Sequence, residues 1–157
     1  MTQLDHATLA DLFRQAKAAP RLRSHLLLHS GHDDQVQRLV IALCAGTYVR
    51  AHRHSEQWEI LTLLQGRMDL LLFSPDGRLS ERIALGAGRT TLVQIPPGQV
   101  HCGVVVEDET AILEVKPGPF RANEFEAWSP EEGSADAAAF VDWAMRAEIG
   151  ASWIERG

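Results

Sequence analysis

The sequence has little that would mark it for a membrane, a nucleic acid or an oxidising compartment. Two cysteines, Cys44 and Cys102, are too few for a disulfide framework. Apolar runs such as Leu26-Leu27-Leu28 and Leu70 to Phe73 are short, and none approaches the roughly 20 residues that a spanning helix needs. No membrane partner is therefore expected. Lys and Arg together number only 15 of 157 residues, the formal net charge is −6, and no basic stripe stands out. Nucleic acid is excluded as a partner on that ground. The stretch from Met1 to Phe13 lacks the basic start and apolar segment of a secretory signal, so a cytoplasmic location is the expectation. Apolar residues, in contrast, make up 45% of the chain, enough for one real core at this length. One domain spanning 1–157 is expected, with no internal repeat or linker.

Three zones follow one another. Leu9, Leu12, Phe13 and Ala16 recur at helical spacing, Asp5 is placed to cap them and Pro20 to stop them, which predicts a helix over about 6–18. From about 22 to 116, short runs of strand-forming residues alternate with turn signals. They are His25 to His29, Val36 to Leu43, Trp58 to Leu64, Met68 to Phe73, Leu79 to Leu85, Thr91 to Ile95, Val100 to Val106 and Thr110 to Lys116. Eight such strands with no long helix between them predict a mainly β fold, an antiparallel sandwich or barrel. From 117 to 157 the chain reads as loop and then helix, near 135–148, with Ala137, Phe140, Val141 and Ala144 on one stripe. Trp128, Trp143 and Trp153 are expected to dock this tail on the barrel.

The chemistry concentrates in two segments. On a strand, residues two apart share a face, so His52 and His54 project together, and two imidazoles on one face can share a metal. Glu59 has the opposite parity to His54, but a loop or bulge over Ser55 to Gln57 restores its inward aim. His101 follows the turn Pro96-Pro97-Gly98 at the start of another strand and can supply a third imidazole. Three nitrogens and one oxygen suit one divalent ion, Zn, Fe, Mn, Ni or Co. In an octahedral arrangement two positions stay open for water, substrate or oxygen. A His-x-His pair alone is common on protein surfaces. The whole spacing, Gly46-x5-His52-x-His54-x4-Glu59-x6-Gly66 and then Pro96-x-Gly98-x2-His101, is hard to meet by chance.

That pair of segments resembles the two motifs of the cupin superfamily. The first agrees at Gly46, His52, His54, Glu59 and Gly66, and the second at Pro96, Gly98 and His101. Thr90 and Val105 stand where the second motif has Gly and Asn; neither position is a metal ligand. The resemblance implies a cupin-type antiparallel jelly-roll β-barrel, here with an N-terminal helix and a C-terminal helical tail, and it implies metal binding by His52, His54, Glu59 and His101. Over about residues 20 to 145 the chain is similar, more narrowly, to the WbuC family of cupin-fold metalloproteins. Asp34 to Arg38, Tyr48 to His54, Trp58-Glu59, Glu114 to Phe120 and Ala127 to Glu131 carry that likeness. It implies a link to bacterial surface-polysaccharide metabolism. Cupins commonly dimerise through strands and terminal segments, so a homodimer is also implied.

Other residues are read by position. Arg50 shares parity with His52 and either projects into the barrel, to meet an anionic substrate group, or lies at the rim. Tyr48 and Gln57 lie beside the ligands and join Arg50 as substrate-binding candidates. Trp58 is expected to pack, and Cys102 to point away from His101. Glu114 and Lys116 share a face; an outward charge pattern is expected, the inward alternative being a general acid and base. His25, His29 and His32 are taken as ordinary surface positions. The expected function is a metal-binding cupin acting on or binding a small polar molecule, such as a sugar or sugar nucleotide. If it is an enzyme, it is a metal-dependent isomerase or oxygenase. The alternatives are an Fe(II)-dependent dioxygenase and a non-enzymatic ligand-binding module with a structural metal.

Overall fold

The structure, a computed structural model, describes residues 2–155. It begins with α1 (His6–Ala18), for which Asp5 is the N-cap: its carboxylate accepts a 2.8 Å hydrogen bond from the Thr8 N–H. Ten strands then follow before the tail helix. They are β1 (Arg23–Leu27), β2 (Val36–Leu43), β3 (His52–Arg53), β4 (Glu59–Gln65), β5 (Met68–Phe73), β6 (Leu79–Leu85), β7 (Leu92–Ile95), β8 (Val100–Val105), β9 (Thr110–Pro117) and β10 (Glu124–Phe125). The tail helix α2 spans Ala135–Arg146.

The strands form two five-stranded sheets, ordered β1-β2-β9-β4-β7 and β10-β3-β8-β5-β6, with antiparallel pairing throughout. This is the jelly-roll arrangement expected. The alternation of side chains along β2 explains the layering. Ile41 and Leu43 join Leu61, Met68, Leu70 and Ile112 between the sheets. Val40 and Ala42 face the other way and bury Leu12, Phe13 and Ala16 of α1. On the opposite side, α2 covers the outer face of the second sheet. Phe140, Trp143 and Trp153 pack there with Leu71, Phe73, Cys102 and Val104, and Trp128 adds its ring against Phe73 at 5.0 Å. The tail tryptophans thus dock as expected. Cys44 and Cys102 are both free and buried.

The strand expected at His52 and His54 covers only His52–Arg53, and one element, β10, escaped the sequence reading. The strands β3 and β10 are two residues each and pair with one another, Phe125 opposite His52 and Glu124 opposite Arg53. A run so short shows no alternation, and residues 124–125 were expected to be loop.

The turn between β4 and β5 explains one motif glycine. Gly66 has φ +80°, and a Cβ there would lie 2.5 Å from Thr110 Oγ1 and 2.8 Å from Thr110 Cα. The Thr110 hydroxyl cannot retreat, since it donates to Glu107 O at 2.6 Å and accepts from the Arg67 N–H at 3.1 Å. Gly66→Ala should therefore cost about 2–4 kcal/mol, from left-handed strain plus overlap. Chemical denaturation followed by circular dichroism reads this; an unchanged midpoint would contradict the steric account.

Candidate metal centre

The residues of the two motifs meet because the backbone brings their segments together twice. His52 on β3 stands opposite His101 on β8. The Gly98 N–H of the Pro-Pro-Gly turn donates to His54 O at 2.8 Å. After the short loop over Ser55 to Trp58, β4 starts at Glu59 with its side chain buried. The parity change anticipated between His54 and Glu59 is made in that loop.

Four buried side chains converge as a result. One ligand atom from each of His52, His54, Glu59 and His101 lies within 4.8 Å of the others. One ion with bonds of about 2.0–2.2 Å spans at most about 4.4 Å between ligands, so a closure of a few tenths of an ångström suffices. Backbone carbonyls orient two of the rings. His52 Nδ1 lies 2.8 Å from Arg50 O, and His101 Nδ1 lies 2.9 Å from Gln99 O. Each Nδ1–H donates to a carbonyl, leaving Nε2 as the lone pair turned to the centre. His54 Nδ1, His54 Nε2 and Glu59 Oε2 are buried without a hydrogen-bond partner. Glu59 Oε2 lies 3.0 Å from His101 Nε2 and 3.6 Å from His54 Nε2, close in charge but not aligned as a hydrogen bond. Orphaned atoms of this kind are rare in native interiors. Here one His54 nitrogen and Glu59 Oε2 belong to the converging group, which together with His52 and His101 fits one divalent metal ion.

The electrostatics agree. Burial lowers His52 to a pKa of about 3, helped by the neighbouring His101. Burial likewise takes His54 down to about 4. Both rings are neutral at pH 7, the form that binds metal. Burial works against the Glu59 carboxylate, but His101 outweighs it and Glu59 stays ionised, at about 2. Reciprocally, burial works against a His101 cation, and Glu59 outweighs it, raising the pKa above the ordinary histidine value. Without metal, then, Glu59 favours the cationic form of His101.

The centre opens into a cavity of about 460 Å³ between the sheets, with apolar walls that include Leu39, Ile41, Leu61 and Ile112. Glu114 and Lys116 also line it, which corrects their expected outward orientation. Alternate residues of β9 reverse the expectation: Ala111 and Leu113 face α1, while Ile112, Glu114 and Lys116 face inward. Lys116 Nζ is 2.9 Å from Glu114 Oε1. Burial, reinforced by the charge of Glu59, pushes the Glu114 carboxyl up to about 7. His25 is at the cavity wall with Arg21 and Arg23, a position that its place outside the motifs did not suggest. Phe120, Asn123 and Phe125 cover one side.

The three substrate-binding candidates are engaged elsewhere and do not line this cavity. The Tyr48 hydroxyl donates to Pro130 O at 2.7 Å and its ring packs edge-on to Phe140. Arg50 donates to Ser129 Oγ at 3.2 Å and Glu126 O at 3.3 Å, and its guanidinium lies 5.0 Å from the centre of the Phe125 ring. Gln57 donates to Pro117 O and Pro119 O. All three hold the segment that follows β9. Trp58 is half-buried.

The family described as "Domain of unknown function (DUF6016)" matches residues 4–85. No protein of curated function matches the chain in sequence. Solved structures similar to it include a cupin 2 conserved barrel domain protein from Rhodopseudomonas palustris, at 17% identity and TM-score 0.53, covering 76% of this chain and 72% of that one. The DMSP lyase DddQ from Ruegeria pomeroyi DSS-3 is similar at 19% identity and TM-score 0.54, over 70% of this chain and 54% of that one. KdgF from Halomonas sp. is similar at 16% identity and TM-score 0.50, over 63% of this chain and 80% of that one. At such identities the likeness establishes the fold, which is that of the cupins.

Two outcomes are expected of the centre. Protein purified without chelator or His-tag should carry about one equivalent of divalent metal, and a His52→Ala/His101→Ala double variant should bind it more than about 100-fold more weakly. Elemental analysis and dialysis with the metal measure both; undiminished binding in the variant would rule out this donor set. Where His101 is protonated, loading should also release its proton, which Glu59 stabilises. Since the pKa of His101 is raised, metal affinity should climb as pH rises through that value and fall in acid. Calorimetry in buffers of different ionisation enthalpy reads the release.

Proposed function

We propose that this chain, which belongs to the family described as Domain of unknown function (DUF6016), is a metal-dependent cupin of WbuC type acting on a small polar molecule. A sugar or sugar nucleotide of surface-polysaccharide metabolism is the substrate class that the WbuC likeness suggests. One observation carries the reading: three of the four converging donors, His52, Glu59 and His101, line a cavity of about 460 Å³ with largely apolar walls, large enough for such a molecule, with a second polar pair beside them. A cytoplasmic homodimer is the form in which we expect it to work.

A bound divalent ion would supply Lewis acidity to a substrate oxygen at this place. The chain's own residues do the rest. Apolar side chains of β2, β4 and β9 keep water out and strengthen each charge within. The Glu114 carboxyl, held near neutrality beside the donor set, can take a proton from the substrate or return one. Lys116 steadies whichever charge Glu114 then carries. The presence of that pair favours an enzyme over a module whose metal is only structural, since a structural site needs no proton carrier in its cavity. The Fe(II) dioxygenase reading gains only if iron is the ion found and oxygen is consumed.

Saturable binding should appear when metal-loaded protein is titrated with a panel of sugars and sugar nucleotides, followed by ligand-observed NMR. The same titration on chelator-stripped protein should show at least about tenfold weaker binding. Equal affinity with and without metal would sink the metal-dependent reading.

A further inference from the structure

We propose that the molecule received by this cavity is a monoanion bearing a carboxylate, and that the Lys116 ammonium takes up its charge. The inference rests on the metal-site reading but narrows the substrate class named above: it requires a molecule with one carboxylate, and so excludes a neutral sugar and a sugar nucleotide, whose diphosphate carries two charges.

Lys116 is only 7% exposed and lies on the cavity wall. An ammonium group carries three N–H donors. Among the described residues Glu114 is its one ion-pair or hydrogen-bond partner, so donor capacity remains inside an apolar chamber. The other cations along the wall are spoken for. The Arg23 guanidinium donates to Tyr48 O and lies 2.7 Å from Glu132 Oε1, and Arg21 Nε lies 2.6 Å from the same carboxylate oxygen. Lys116 is thus the buried cation placed to meet a ligand.

The charge sum of the site gives the class. A divalent ion with one carboxylate ligand, Glu59, leaves one net positive charge; the Lys116–Glu114 pair adds none while Glu114 is ionised, Arg23 is balanced by Glu132, and Arg21 lies largely in solvent. One unit of negative charge completes the site, and an excess charge of either sign is costly within apolar walls. A carboxylate is a monoanion at neutral pH, whereas a phosphate monoester is largely a dianion there. Oxygen chemistry at the metal and an ammonium nearby both suit a carboxylate with a neighbouring hydroxyl.

The test uses the full chain loaded with Co(II), whose visible spectrum reports ligand entry. Glycolate is titrated as the probe carboxylate, ethylene glycol as its neutral counterpart, and inorganic phosphate as the competing anion. Glycolate should bind at least about tenfold more tightly than ethylene glycol, the effect expected of a hydrogen bond to a charged group. Lys116→Met should abolish that preference while Co(II) content stays at one equivalent per chain, as in the wild type. Lys116→Arg should retain it. Glu114→Gln frees the ammonium from its competitor and should tighten glycolate binding severalfold. A purely structural ion pair predicts otherwise, with glycolate affinity unmoved in Lys116→Met and unmoved or lowered in Glu114→Gln; that pattern overturns the inference and leaves the metal site intact. Phosphate binding more tightly than glycolate overturns the carboxylate assignment. Failure of the wild type to take up Co(II) at all overturns the metal-site reading, and this inference with it.

Discussion

The cost of holding four polar side chains out of water governs this molecule. His52, His54, Glu59 and His101 are each buried, and three of their polar atoms have no hydrogen-bond partner. A buried, unsatisfied polar group costs about 1–3 kcal/mol, so three of them oppose folding by a sizeable part of the roughly 5–15 kcal/mol by which a domain is stable. Such a cluster persists only where the surrounding structure holds it or where a cation completes it. The first condition is visible, and the geometry fits the second. The two sheets fix the backbone around the cluster, and one ligand atom from each of the four residues lies within 4.8 Å of the others, the span of one ion. Metal binding and folding therefore draw on the same free energy.

The rest of the fold reads as support for that dry centre. The rings of His52 and His101 are turned by carbonyls of their own strands' approach residues, Arg50 and Gln99. Those carbonyls are placed by the pairing of β3 with β8 and by the Gly98 to His54 hydrogen bond. The sheets in turn are backed on their outer faces, one by α1 and the other by α2 with its aromatic cluster. Neither helix touches the donor set. Their role is to bury the outer faces of strands whose inner faces line the cavity, so that the sheets keep their spacing.

That double backing explains what could and could not be read from the sequence. The four ligands were legible because their spacing encodes geometry: a two-residue repeat for one face, a loop to change parity, a glycine turn to aim the last histidine. The bounds of α1, β2, β5 and β6 were legible from periodicity and turn residues, and these elements are observed at the residues expected. Glu114 and Lys116 were misread for a physical reason. Along β9 the sequence Thr-Ala-Ile-Leu-Glu-Val-Lys-Pro places apolar residues on both faces, because α1 covers one face and the cavity the other. A rule that sends charge toward solvent has no solvent face to choose there. Arg50, Tyr48 and Gln57 were drawn into the site by nearness along the chain, but each turns to backbone carbonyls of residues 117–130. Nothing in a local pattern gives the partner of a side chain some 60 to 82 residues away.

Those three side chains lead to one further step. The segment after β9 passes over the cavity, contributing Phe120, Asn123 and Phe125 to its wall. It is tied down by residues that alternate with the metal ligands or neighbour them: Tyr48, Arg50, Arg53 and Gln57. Phe125 also pairs directly with His52 through β10. The strand and loop that aim the imidazoles are therefore the same strand and loop that hold the cover. Residues 48–57 thus carry both two of the four converging donors and the bonds that hold the segment beside the cavity, in one continuous piece of chain.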